Sequence, residues 1–340
     1  MKTTRIALDV MGGDRAPDAI LRGALAACSP EGRVRLATER LVLVGDEPLI
    51  RKGLADLGGD PGFAVHHASQ VITMGESPAT ALRAKPDSSI SQMIALTRAG
   101  EAGAAVSMGN TGAVVGGATL GLGTLAGVKR PGIAVTLDLT GHPLTILDMG
   151  ANIAPKPEHL YQYGVMGSVY MRDCIGKPEP RVALLNIGEE ESKGTDLLKA
   201  AFGLLKSSSL DFVGNVEGND LFQNKAEVVV TDGFTGNVVL KLMEEMAAFM
   251  LRLSLTELAA QGIRGAPEAL ARVKKSIDYA EYGGALLLGV AGIVIIGHGR
   301  SDENAVANAV GLAARALDAG VNDHIVRGLE NTAGEEALRG

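Results

Sequence analysis

The sequence predicts a three-layer α/β/α fold built on a mostly parallel sheet. Three observations lead there. Short apolar runs alternate with helix-like stretches from end to end, the pattern of strand–helix–strand units. Six glycine-bearing turns each follow an apolar run and precede a helix-like stretch. Hydrophobic residues make up 46% of the chain and the 45 glycines sit at element ends, so a large core is punctuated by tight turns.

The elements follow in order. Ile6-Ala7-Leu8 reads as a buried strand, and Pro17 starts a helix over Asp18 to Cys28. A strand at Leu41 to Val44 meets Gly45-Asp46, a helix follows to Leu57, and Phe63 to His66 is a short strand. Met74 to Asp87, with Pro78 and Pro86, reads as a loop carrying one short helix. Ser88 or Ser89 caps a helix to Ala99. Strand Ala104 to Val106 leads into a glycine-rich helix over Thr111 to Leu122. Ile133 to Leu139 and Leu144 to Asp148 pair as a hairpin around Thr140-Gly141-His142-Pro143. Pro157 opens a helix to Asp173, and a strand from Val182, a helix and a strand follow through Val213. Val228 to Val230 leads to a long helical tract, Thr235 to about Gln261. Gly262, Gly265 and Pro267 break it, and Glu268 to Tyr282 continues as a second helix. Gly283 to Gly297 holds two buried strands, and Asp302 to Ala319 is the last helix. The 340 residues exceed one compact core, so residues 1–340 are read as one two-lobed domain. It carries a helical hairpin at about 238–282 and a loosely ordered tail at about 322–340.

Composition narrows the function. Aromatic residues are 3% with no Trp, too few for a base-stacking platform, and the net charge of -7 argues against nucleic acid. Cys28 and Cys174 have no neighbouring metal-ligand partners and read as buried small hydrophobes of a reducing compartment. Met1 to Arg5 run straight into a strand, so no signal peptide is expected, nor is a membrane span, and a cytoplasmic protein is the expectation.

The turns carry the chemistry. They are Met11-Gly12-Gly13-Asp14, Gly109-Asn110-Thr111-Gly112, Asp148-Met149-Gly150-Ala151-Asn152, Asn186-Ile187-Gly188-Glu189, Asp232-Gly233-Phe234-Thr235-Gly236-Asn237 and Gly297-His298-Gly299-Arg300-Ser301. Ligands of open parallel sheets bind outside the carboxyl ends of the strands. Glycine lets the backbone approach a ligand, and a following helix aims unpaired N–H groups at an anion. Several such turns on one edge describe a cleft for phosphate or a similar oxyanion. The candidate ligands are Gly12, Gly13, Asp14, Gly109, Asn110, Thr111, Gly112, Asn152, Thr235, Gly236, His298 and Ser301. Any one turn alone also reads as an ordinary helix cap. No glycine is followed five residues later by Gly-Lys-Ser/Thr, and Gly12-Gly13-Asp14 lacks the third glycine of a dinucleotide loop.

Lys193 follows Glu189-Glu190-Glu191-Ser192 and opens a helix. It is either a solvated lysine paired with those glutamates or a cation held beside the cleft for an anionic substrate. Asn237 either donates to a developing oxyanion or caps the long helix. His298, between two glycines, either handles an anion or proton or is a plain surface histidine. Asp9, Asp14, Asp148 and Asp232 sit near strand ends, but no His/Asp spacing supports a metal site, and no metal is expected.

The tract Leu242 to Leu258 is apolar on two stripes, Met243, Met246, Phe249, Met250 and Leu253 on one, Leu251, Leu255 and Leu258 on the other. Packing between subunits is the ordinary explanation. Contact of the far end, Leu258 to Ile263, with lipid or an acyl chain is the sharper one. Arg252, Arg264, Arg272, Lys274 and Lys275 gather on the same hairpin, which suits an acidic protein partner or an anionic membrane surface.

From Ile6 to about Ala316 the chain resembles the bacterial acyl-ACP:phosphate acyltransferase (PlsX) family of phospholipid synthesis. The resemblance rests on Asp9-Val10-Met11-Gly12-Gly13-Asp14, Gly109-Asn110-Thr111-Gly112-Ala113 and Leu147-Asp148-Met149-Gly150-Ala151-Asn152, joined by Lys156-Pro157-Glu158-His159, Met166-Gly167-Ser168-Val169-Tyr170, Leu185-Asn186-Ile187-Gly188-Glu189-Glu190, Gly214-Asn215-Val216-Glu217-Gly218 and Val230-Thr231-Asp232-Gly233-Phe234-Thr235-Gly236-Asn237-Val238. Leu286 stands where the family usually has proline, and Arg300 where it has a small residue. The resemblance implies a homodimer with a fold like isopropylmalate dehydrogenases and phosphate acetyltransferases, the active site between lobes. It implies that acyl-ACP and phosphate give acyl phosphate and free carrier protein without a cofactor, and it matches Lys193 and Asn237 to catalytic positions. The product would pass to an acceptor enzyme in the membrane, with peripheral attachment to an anionic surface. Short-chain transfer from coenzyme A, a metal- and NAD-dependent dehydrogenase, and a non-catalytic carrier-binding module are the alternatives.

Overall fold

The computed structural model describes residues 3–138, 141–277 and 282–339, the side chains of 274–277 and 331–339 apart. Among these residues eleven strands and eleven α-helices follow one another. They are β1 (Ile6–Asp9), α1 (Asp18–Cys28), β2 (Leu41–Gly45), α2 (Glu47–Asp56), β3 (Ala64–His67), α3 (Pro78–Ala84), α4 (Ser89–Arg98), β4 (Ala104–Ser107), α5 (Thr111–Gly121), β5 (Gly132–Asp138), β6 (Pro143–Leu147), α6 (Pro157–Tyr170), β7 (Val182–Leu185), α7 (Asp196–Lys206), β8 (Phe212–Val216), β9 (Val228–Val230), α8 (Gly233–Ala260), α9 (Ala266–Ile277), β10 (Ala285–Leu288), β11 (Ile293–Ile296), α10 (Glu303–Asp318) and α11 (Val321–Arg339). The chain divides into two compact units, residues 1–131 with 282–330, and residues 132–281 with 331–340.

In the first unit the strand order is β3-β2-β1-β4-β11-β10, parallel except where β10 runs against β11. Strands β1 and β4 are buried throughout, as strands covered on both faces must be. Leu8 lies beside Val106, and Val106 beside Ile295, so the turns after β1, β4 and β11 leave from one edge. Helix α1 packs on α10 where Gly23 makes room: a Cβ there would sit 2.5 Å from Val306 Cγ1. Leu286 is a buried residue of β10, opposite Ile295.

In the second unit the order is β5-β6-β9-β7-β8, antiparallel only between β5 and β6. The predicted hairpin is present from Ala134 opposite Leu147 to Asp138 opposite Pro143, and Thr140 of its turn lies outside the described residues. Leu147 lies beside Val230 and Val230 beside Leu184, which again puts three turns on one edge.

Element ends depart from expectation in three places. The chain from Val321 is helical, not a loose tail: Val321, Ile325 and Leu329 recur every four residues and are buried, an apolar stripe along its first turns. Helix α8 starts two residues early because the Asp232 side chain accepts the Thr235 N–H at 2.9 Å and caps it. Helix α9 is described to Ile277, so part of the predicted run to Tyr282 lies outside the described residues. Cys28 is only half-buried at the end of α1, and burial pushes its thiol up to about 11, which keeps it protonated and inert at neutral pH.

Candidate active site

Three turns of the first unit press against one another. Asp9, fully buried at the end of β1, accepts the Ser107 hydroxyl at 2.6 Å and the Met11 N–H at 3.0 Å. Burial pushes its pKa above the ordinary carboxylate value, and these bonds oppose that shift. A Cβ on Gly12 would lie 2.8 Å from the Gly109 nitrogen, so this position needs glycine for the two turns to meet. Asp14 donates its N–H to the Gly299 carbonyl at 2.8 Å, which ties the turn after β1 to the turn after β11.

The hydrogen bonds decide which predicted anion ligands are free to act. Asn110 is not one. Its Oδ1 caps α5 by accepting the Ala113 N–H at 3.0 Å, and its Nδ2 donates to the carbonyls of Thr73, Met74 and Glu76 at 3.2, 3.2 and 3.0 Å. The Gly109 N–H is spent on Ser107 Oγ at 3.0 Å. Thr111 and Gly112 remain. They are the exposed first residues of α5, and the first N–H groups of a helix have no partner within it. Both therefore point donors outward, with the Thr111 hydroxyl beside them. His298 Nδ1 accepts the Arg300 N–H at 3.1 Å, so the neutral ring carries its proton on Nε2. Ser301 is buried next to that turn, its N–H held by the His298 carbonyl at 2.9 Å.

In the second unit Asp148 is the organiser. Its Oδ1 accepts N–H groups from Ile133, Gly150 and Ala151 at 2.9, 3.1 and 2.9 Å. Its Oδ2 accepts Asn152 N at 2.7 Å and Asn152 Nδ2 at 3.3 Å. Burial pushes this carboxyl above the ordinary value while the bonds from Ala151, Ile133 and Asn152 pull it back. Asn152 is thus a brace, not an anion ligand, for its Nδ2 also donates to Tyr163 Oη at 2.7 Å. Thr235 is likewise spent: its hydroxyl donates to Asp232 at 2.7 Å. Gly236 gives its N–H to the Asp232 carbonyl, and its bare Cα admits the Asp148 carbonyl. It is a packing glycine.

Asn237 is exposed on the first turns of α8 and does not cap it, since Asp232 does. Its side chain stands over the turn after β6, 3.6 Å from where a Cβ on Gly150 would lie. Lys193 lies in the loop after β7, ahead of the Thr195 cap of α7 rather than on the helix. Two of the three glutamates expected to neutralise it are engaged elsewhere, Glu189 by Lys225 at 2.6 Å and Glu191 by Lys206 at 2.5 Å. Among the described residues no carboxylate reaches Lys193, and no three His, Cys, Asp or Glu side chains converge.

Within a single chain the apolar stripes of the hairpin are left uncovered. In α8 only Gly233 and Gly236 are buried, while Phe234, Val238, Leu242, Met246, Phe249, Met250 and Leu253 stay exposed. Arg252, Ile263, Arg264 and Arg272 are exposed and Leu258 is half-buried. The side chains of Lys274 and Lys275 lie outside the described residues. Among the described residues no helix is long and apolar enough to cross a membrane.

Residues 4–324 match the family described as "Fatty acid synthesis protein". A phosphate acyltransferase of Myxococcus xanthus is 45% identical over 336 residues, covering 95% of this chain and 93% of its own. One of Heliobacterium modesticaldum is 45% identical over 334 residues, covering 94% and 97%. Among solved structures, the EutD phosphotransacetylase from Staphylococcus aureus aligns with a TM-score of 0.59 at 15% identity, over 92% of this chain and 93% of its own. A phosphotransacetylase from Streptococcus pyogenes does so at 0.59 and 18%, over 92% and 94%. At that identity these two speak for a shared mostly parallel α/β fold alone. The curated relatives, similar along the full length, make this chain a transferase enzyme. It belongs to the fatty acid synthesis protein family, in keeping with the resemblance carried by its motifs.

Proposed function

We propose that the protein transfers the acyl group of an acyl carrier protein thioester to inorganic phosphate, giving acyl phosphate and free carrier protein for phosphatidic acid and phospholipid synthesis. The observation that carries this reading is full-length similarity to phosphate acyltransferases, joined to a start of α5 whose N–H groups and hydroxyl suit phosphate. Phosphate is already nucleophilic near neutral pH, so positioning is the main demand. A phosphate oxygen bonds to the thioester carbonyl carbon, the tetrahedral oxyanion collapses, the C–S bond breaks, and the thiolate takes a proton from water. Thr111 and Gly112 hold the phosphate. Lys193 and Asn237, whose side chains hold no partner among the described residues, stabilise the charge that appears on the acyl side. His298, through its Nε2–H, is a second donor to the anion.

The test is phosphate-dependent loss of acyl-ACP by the purified protein, with the acyl phosphate trapped by hydroxylamine. Consumption of acyl-CoA at equal efficiency would replace the carrier protein by coenzyme A. No phosphate dependence with tight acyl-ACP binding would make the protein a carrier-binding module.

The same reading includes a cytoplasmic homodimer that touches anionic membrane. The bare apolar stripe of α8 supports burial against a second copy. The turn between α8 and α9, with Ile263 and Arg264 exposed and Gly262 and Gly265 at positive φ, supports surface contact with anionic lipid. Leu258→Glu with Ile263→Glu is expected to release the protein from anionic vesicles in a sedimentation assay while soluble acyl-ACP turnover is kept. Unchanged sedimentation would reject this turn as the contact.

A further inference from the structure

The loop from Val71 to Pro78 reaches the anion turns from outside them. Its Thr73, Met74 and Glu76 carbonyls all accept from the single amide nitrogen of Asn110. The Met74 methyl lies 3.0 Å from where a Cβ on Gly299 would be, and Pro78 Cγ 2.5 Å from one on Gly112. The loop therefore touches both the turn after β4 and the turn after β11. It is closed on itself by a clasp. Lys85 Nζ donates to the Val71 carbonyl at 2.7 Å and to Glu76 Oε2 at 2.8 Å. The Glu76 carboxylate also accepts the Thr73 N–H at 2.7 Å and the Thr73 hydroxyl at 3.1 Å. Lys85 above all holds the Glu76 carboxyl down at about 2, so that carboxyl stays ionised at any ordinary assay pH.

We propose that Lys85 and Glu76 are positioning residues that set phosphate affinity by fixing this loop against the start of α5; the proposal rests on the reading of that start as the phosphate site. The physical reason is electrostatic. Three carbonyl oxygens beside an anion site repel an anion unless a donor neutralises them, and here one amide does so. Asn110 faces its cap on one side and these carbonyls on the other, so the loop's geometry also fixes the direction of the cap that presents the Thr111 and Gly112 donors. Opening the clasp lets the carbonyls turn from Asn110 towards the anion. Both side chains bond to the loop itself, Lys85 to Val71 and Glu76, Glu76 to Thr73, which is why they are assigned a positioning role.

The experiment compares Lys85→Met and Glu76→Gln with the wild type in steady-state turnover of acyl-ACP and in calorimetric titration with inorganic phosphate. Each variant is expected to raise the phosphate KM about tenfold and weaken phosphate binding about as much, with kcat at saturating phosphate and the acyl-ACP KM within twofold. Lys85→Arg, which keeps the clasp, is expected to stay within threefold of the wild type in both. A merely structural role would raise both KM values together or lower the melting temperature without separating them. Unchanged phosphate affinity in Glu76→Gln, which preserves shape should Lys85→Met fold poorly, would overturn the proposal. Wild-type turnover that ignores phosphate would overturn the phosphotransfer reading instead, while the titration still reads the loop. Absence of phosphate binding by the wild type would overturn both.

Discussion

Lys193→Ala is expected to lower phosphate-dependent turnover about 100-fold to 1000-fold, the usual loss on removing one donor from a developing oxyanion. The folded chain should survive, because the side chain holds no partner among the described residues. The loop around it is fixed by backbone contacts that alanine keeps: Lys193 N donates to the Glu190 carbonyl at 3.0 Å, and Asn186 Nδ2 donates to the Lys193 carbonyl at 3.2 Å. Glu189 and Glu191 keep their own lysines, so truncation leaves no buried charge unpaired. Asn237→Ala is expected to behave alike, since Asn237 is exposed and the cap of α8 belongs to Asp232. Turnover measured beside circular dichroism decides the matter. Near-normal turnover in a folded variant would remove that residue from the chemistry.

Asp148→Asn is expected to be the most destabilising of the near-isosteric changes, by roughly 2–4 kcal/mol, the range for stranding donors around a buried charged acceptor. Five hydrogen bonds converge on the Asp148 carboxylate. An asparagine can satisfy one side, but its NH2 then faces the N–H groups of Asn152 on the other. The turn after β6 would loosen where Gly233 and Gly236 pack, the first by its N–H on the Asn152 carbonyl at 2.8 Å, the second on the Asp148 carbonyl. Chemical denaturation measures the loss, and a variant as stable as the wild type would show that the carboxylate is not what holds the turn.

The strands and the turns at their ends were legible because parallel strands buried on both faces are short, uniformly apolar runs, and glycine marks where the chain leaves them. The identity of the turn-forming segments follows from local sequence, but the division of labour inside them does not. Asn110 is committed to carbonyls 34 to 37 residues earlier, and nothing within a few residues of it signals that. Asn152 meets Tyr163 eleven residues on, from a helix whose start is a proline and whose inner face is set only by packing. Lys193 looked paired with its neighbours because the sequence shows three glutamates beside it, and only the fold brings Lys206 and Lys225 to two of them. Thr235 was the readable exception: a threonine three residues after an aspartate at a helix start is a capping pattern. The clasp of Glu76 and Lys85 had no signal, since nine residues and a short helix separate two ordinary surface charges.

The first unit is assembled from two stretches of chain, 1–131 and 282–330, whereas 132–281 of the second is one stretch. On the ribosome the order of completion is therefore reversed relative to the order of synthesis. Strands β1 to β4 emerge first, yet the face of α1 at Gly23 stays bare until α10 brings Val306 to it, after residues 132–281 have been made. The nascent chain thus carries an unfinished apolar layer from the completion of α1 until Val306 is made, roughly 280 residues later, about 14 s or more at roughly 20 residues per second or slower. That interval is a window for chaperone capture. A chain truncated before Glu303 would leave the N-terminal strands permanently half-covered and prone to aggregate, whatever the state of the residues between.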